Sequence, residues 1–156
     1  MAPDLKIFLA AVMVIAALCD LRTVRVPNWL TLPLMGAGAL YSALALRSGW
    51  FLIPWALLYG LWYLGAFGAG DAKLMMGLFA LTPPGLYREL SLCLAGATGL
   101  AGLVFGIREY GGLLPFLLGC LNVLQGRISP EALEKARRPF TWAYSVGALW
   151  FLLAVA

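Results

Sequence analysis

Long apolar runs separated by short polar, Gly or Pro punctuation dominate this 156-residue chain. A helix needs about 20 apolar residues to cross the roughly 30 Å hydrocarbon core of a bilayer. Read against that length, the runs predict six helices. The first covers about 5–20 and ends at Arg22, Arg25 and Pro27. Asn28 stands where an N-cap would open the second helix, about 29–46, and Trp29 suits a membrane interface. Arg47-Ser48-Gly49 predicts a tight turn into the third, about 50–67. A glycine-rich join leads to the fourth, about 71–82, which Pro83-Pro84 stops. The fifth runs about 87–106, and Pro139 introduces the last, which continues to the C-terminus.

Segment 107–138 breaks the rhythm. Its apolar stretch 113–124 is too short to span, so a re-entrant or surface-lying helix is expected there. Residues 130–138 (PEALEKARR) read as a short charged helix.

Composition agrees with the pattern. The chain is 63% hydrophobic and 12% charged, against about 25% charged residues in a soluble domain. The expectation is an all-α integral membrane protein, a single domain over 1–156. Lys6 followed by the apolar run Ile7–Leu18 has a signal-peptide look. No small-x-small site precedes Asp20, however, so the run is expected to stay as a first helix.

Charge then orients the bundle. Six spans put both termini on one side. The loops after helices one, three and five hold eight basic residues (Arg22, Arg25, Lys73, Arg108, Arg127, Lys135, Arg137 and Arg138), and the other side holds three (Lys6, Arg47 and Arg88). Basic loops stay in the cytoplasm, so the termini are expected outside. The net charge of +4 needs no nucleic acid to explain it.

The chemistry narrows quickly. Histidine is absent, which removes Ser-His-Asp and Cys-His catalysis and most zinc sites. Cys19, Cys93 and Cys120 stand alone, without a metal-binding or disulfide spacing. Seven acidic residues remain, and two of them occupy telling places. Asp20 closes the first run, and Asp71 lies in Gly68-Ala69-Gly70-Asp71 at the start of the fourth. Ionisable side chains at membrane depth are costly and mark function. The derived topology puts both at the cytoplasmic end. The twelve residues from Asp71 to Thr82 make only about 18 Å of helix, which keeps Asp71 near the edge of the hydrocarbon.

Two carboxylates that meet can share one proton. The ionised one takes a proton from water and the other donates to a scissile carbonyl, the chemistry of an aspartic peptidase with neither metal nor organic cofactor. Gly68 and Gly70 fit as sites of irregular backbone or close approach, the plainer alternative being a small-residue packing surface. Asp20 ends a helix and Asp71 begins one, so helix dipoles place a shared proton on Asp20 and leave Asp71 as the base.

At these residues the chain resembles the type IV prepilin peptidases, membrane aspartic peptidases with a Gly-x-Gly-Asp signature. It is most similar to their short branch serving tight-adherence (Flp-type) pili. One match is Asp20-Leu21-Arg22-Thr23-Val24-Arg25-Val26-Pro27-Asn28-Trp29-Leu30-Thr31. It corresponds to a catalytic aspartate followed by a basic stretch and an Ile/Val-Pro-Asn-x-Leu-Thr segment. The other is Gly68-Ala69-Gly70-Asp71-Ala72-Lys73-Leu74, with the second catalytic aspartate and a lysine. A looser match, Arg138 to Gly147, resembles a Pro-Tyr-Gly-x-Ala-Ile-Ala-x-Gly segment. There Thr141 stands for a glycine and Tyr144 for a small aliphatic residue, departures that weigh against a role for the last helix.

The resemblance implies cleavage of the leader from prepilin or pseudopilin precursors at the cytoplasmic face of a bacterial inner membrane, in a multi-pass protein. Longer relatives carry a domain with paired Cys-x-x-Cys motifs and also methylate the new N-terminus. Eight residues separate Asp20 from Trp29 here, which leaves no room for that domain, so peptidase activity without N-methylation is expected.

Of the remaining residues, Lys73 reads either as a substrate-steering or Asp71-tuning group or as an interfacial anchor. Asn28 reads as a helix cap before a substrate contact. Two rival readings stay open: another Gly-x-Gly-Asp intramembrane protease, and a non-catalytic membrane subunit of a pilus or secretion assembly.

Overall fold

The computed structural model of the protein describes residues 1–23, 26–64, 68–112, 114 and 141–154. Among them lie six α-helices and no strand, as expected of an all-α chain. They are α1 (Pro3–Thr23), α2 (Asn28–Leu44), α3 (Leu52–Tyr63), α4 (Ala69–Leu81), α5 (Tyr87–Tyr110) and α6 (Thr141–Ala154). The expectations for 113–124 and 130–138 fall outside the described residues. Among the described helices, the stretch Pro84–Phe105 has the length and apolarity of a bilayer-crossing segment; α3 and α6 are shorter apolar helices.

Helix ends follow local chemistry. Pro27 occupies the N-cap of α2 in an extended conformation (φ −71°, ψ 143°), and its carbonyl accepts the Leu30 and Thr31 N–H groups. Asn28 is therefore the first residue of α2 and not its cap. After α2 the turn forms at the expected place. Its left-handed residue is Arg47 (φ 46°) rather than Gly49. The Ser42 hydroxyl donates to the Ser48 carbonyl at 3.1 Å, and the Ser48 N–H returns to the Ser42 carbonyl at 3.0 Å. At the end of α5, Gly111 takes the left-handed conformation (φ 71°) and returns its N–H to Ile107, a common helix stop.

The described helices form two groups of three. In one, α4 packs between α2 and α3; in the other, α6 packs between α1 and α5. A continuous core joins them, built from Leu9 and Met13 of α1, Leu34 of α2, Leu74 and Leu78 of α4, Leu90 of α5 and Phe151 of α6. Helix α4 is buried nearly all round, from Ala72 through Leu81 with the exception of Lys73. A helix apolar on every face belongs in the middle of a structure, and α4 takes that place.

The outside is almost as apolar as the inside. Ile7, Leu18, Leu40, Leu57, Leu100 and Leu153 all face outward, Leu153 at 83% exposure. With such a surface, hydrophobicity alone discriminates poorly between the faces of a helix, and close fit decides which helices pair. Small residues supply that fit. A methyl group added at Gly77 would lie 2.7 Å from Leu34 Cγ, and one at Gly38 would lie 2.9 Å from Ala80 Cβ. The α2–α4 contact is close because neither glycine has a side chain. Gly147 plays the same part between α6 and α5, facing the Cys93 carbonyl.

Candidate active site

Asp20 belongs to the packed stripe of its helix. The buried residues of α1 are Leu9, Val12, Met13, Ala16 and Asp20, spaced so that one helix face presents them all. Four apolar residues thus aim a fifth, charged one into the bundle, where it is 3% exposed. A carboxylate so placed needs hydrogen-bond donors. The Thr141 backbone N–H, at the start of α6, donates to Asp20 Oδ2 at 2.8 Å. The Trp142 backbone N–H is a second donor to the same carboxylate.

Asp71 arrives from the other three-helix group. It sits in the first turn of α4, after Gly68 at the N-cap (φ −66°, ψ 146°). Those angles suit any residue, so Gly68 supplies room rather than unusual backbone. A methyl group there would meet Asp71 Oδ2 at 3.1 Å. At Gly70 a methyl group would lie 3.1 Å from Val26 Cβ and 3.2 Å from the Val26 carbonyl oxygen. The start of α4 therefore rests directly on the backbone just after Asp20's helix. Of the two expected uses of these glycines, close approach is realised and irregular backbone is not.

The Thr141 hydroxyl donates to Asp71 Oδ1. One residue thereby holds both acids, Asp20 through its backbone N–H and Asp71 through its side chain. The two carboxylates are near enough to interact electrostatically, and Tyr144, three residues further along α6, also senses the charge of Asp71.

The supporting residues are distributed around this centre. Lys73 Nζ donates to Asn28 Oδ1 at 2.9 Å in an exposed position, which ties the first turn of α4 to the start of α2. The cap expected of Asn28 is not found, since Pro27 holds that position; its side chain accepts from Lys73 instead. Pro27 sets the start of α2. Thr141 and Tyr144 are the residues that sequence reasoning passed over. Their signal lies in the segment after Pro139, where the departures from the family pattern at Thr141 and Tyr144 mark residues that the fold brings to Asp71.

Two carboxylates bridged by a donor, one buried and one half-buried, can hold a water and exchange a proton with it. That arrangement defines a candidate acid–base centre inside a helical bundle. Residues 7–107 match the type IV leader peptidase family, and the chain belongs to that family. No curated protein and no solved structure matches the chain. Asp20 and Asp71 lie within the matched segment, and Thr141 lies beyond it.

Proposed function

We propose that this protein is a membrane aspartic endopeptidase that removes the leader of type IV prepilins of the Flp (tight-adherence) kind at the cytoplasmic face of a bacterial inner membrane. The observation that carries this reading is the convergence of Asp20 and Asp71 on Thr141, in a chain of the leader peptidase family. The apolar exterior supports a lipid surround; in this reading the chain crosses the membrane six times with both termini outside.

Hydrolysis follows from a dyad holding one proton. The ionised carboxylate takes a proton from water as the water oxygen bonds to the scissile carbonyl carbon. The protonated carboxyl gives its proton to the carbonyl oxygen, yielding a tetrahedral diol. One carboxyl then gives its proton to the leaving nitrogen while the other carboxylate takes a proton from a diol hydroxyl, so the C–N bond breaks, the new carboxylic acid forms and the pair is again singly protonated. The cycle needs no group beyond the two acids and water, and the peptidase works without N-methylating its product.

Co-expression with a small Flp-type prepilin tests the reading by gel shift and by the N-terminal mass of the pilin. Wild type should remove the leader, and Asp20→Ala and Asp71→Ala should insert normally and leave it intact. Cleavage by either variant would overturn the dyad. Several such precursors left intact by wild type would favour a non-catalytic assembly subunit.

A further inference from the structure

We infer that Thr141 is a positioning residue of this dyad, setting the separation of the two carboxylates across the seam between the two three-helix groups; the inference rests on the peptidase reading above. Asp20 and Thr141 come from α1 and α6, which pack together, whereas Asp71 comes from α4, which packs with α2 and α3. The backbone bond from Thr141 to Asp20 lies within one group. The hydroxyl bond to Asp71 crosses between the groups.

These two bonds do different things. The N–H to Asp20 is available from any non-proline residue at position 141. The hydroxyl bond needs Ser or Thr. It fixes one oxygen of Asp71 at a set distance from the Thr141 backbone, and hence from Asp20. Asp20 also takes hydrogen bonds from the Trp142 backbone N–H and the Thr141 side chain, so the Thr141 hydroxyl stands between the two acids. Thr141 is buried, so no bulk water replaces a missing hydroxyl without rearrangement.

The branched side chain matters too. Thr141 is first on the buried α6 face that continues through Ser145 and Ala148, and the Ser145 hydroxyl donates to the Thr141 carbonyl at 3.0 Å. A β-branched residue has few rotamers, which holds the hydroxyl toward Asp71. In the family segment that this stretch resembles, the position is glycine and offers no hydroxyl. The bridge is therefore a property of this chain's own residue.

The test compares kcat and KM for leader removal from a purified Flp-type prepilin by the full-length enzyme in lipid nanodiscs. Thr141→Val keeps shape and backbone N–H and removes the hydroxyl. It should lower kcat by about 10- to 100-fold, the scale of a roughly 1 Å misplacement, and leave KM within about twofold of wild type, since substrate contacts are untouched. Thr141→Ser should return kcat to within a few fold of wild type. If Thr141→Val fails to insert, Thr141→Ser and Thr141→Ala carry the same comparison, differing by one oxygen atom. Asp20→Asn and Asp71→Asn run alongside. Both inactive with Thr141→Val at full rate sinks the positioning role and leaves the dyad standing. A Ser variant as slow as Val or Ala assigns Thr141 to packing. A rate above about a tenth of wild type in either Asn variant overturns the peptidase reading itself.

Discussion

The backbone N–H of Thr141 donates to Asp20 Oδ2 at 2.8 Å across 121 positions of the chain. An asparagine at position 20 could still accept that bond through its amide oxygen, so Asp20→Asn should fold and insert. It could not exchange a proton with water. Leader cleavage should fall by about 10²- to 10⁴-fold, the usual share of general acid–base catalysis, and Asp71→Asn should do the same. A residual rate above a tenth of wild type in either variant would contradict this.

The α2–α4 contact should be intolerant of a single methyl group. Gly77→Ala places its Cβ against Leu34 at both Cγ and Cδ2, and overpacking of this kind costs about 1–3 kcal/mol. Gly36→Ala, with nothing within 4 Å, is the matched control on α2. Thermal unfolding in detergent should show a clear drop for the first and almost none for the second. Equal melting temperatures would mean the helices are farther apart than described.

Gly70→Ala should act on the site more than on the fold. Its Cβ would press on both the side chain and the carbonyl of Val26, and relief requires the first turn of α4, with Asp71, to move. We expect a cleavage rate reduced by at least about 10-fold with a melting temperature closer to wild type than that of Gly77→Ala. A wild-type rate would show that the α1–α2 connection yields instead.

Asn28 offers a separation of capping from tying. If it were a cap, Asn28→Ser would preserve stability and Asn28→Ala would cost about 1 kcal/mol. Because its amide oxygen accepts from Lys73 and Pro27 holds the cap position, serine and alanine should behave alike. Both should lose no more than about 1 kcal/mol, as expected for one exposed hydrogen bond. Full stability in Ser alone would restore the capping role.

The orientation of the bundle is open to direct assay. Alkaline phosphatase fused after Ala156 should be active, because the termini are expected outside. A green fluorescent protein at the same point should stay dark. The reverse result would place the aspartates on the far side of the membrane from that proposed.

Apolar runs, their punctuation by Pro and Gly, and two misplaced acids were enough to read an all-α bundle and to single out Asp20 and Asp71. These are local signals: helix length, helix stops and the cost of burying charge can all be judged from neighbouring residues. Thr141 and the Lys73–Asn28 tie could not be judged so. Each depends on which helices lie side by side, and in a chain this uniformly apolar many pairings bury similar surface. Close fit at Gly38, Gly77 and Gly147 selects among those pairings. Only the folded bundle carries Thr141, more than a hundred residues away in sequence, onto Asp20 in the last turn of α1.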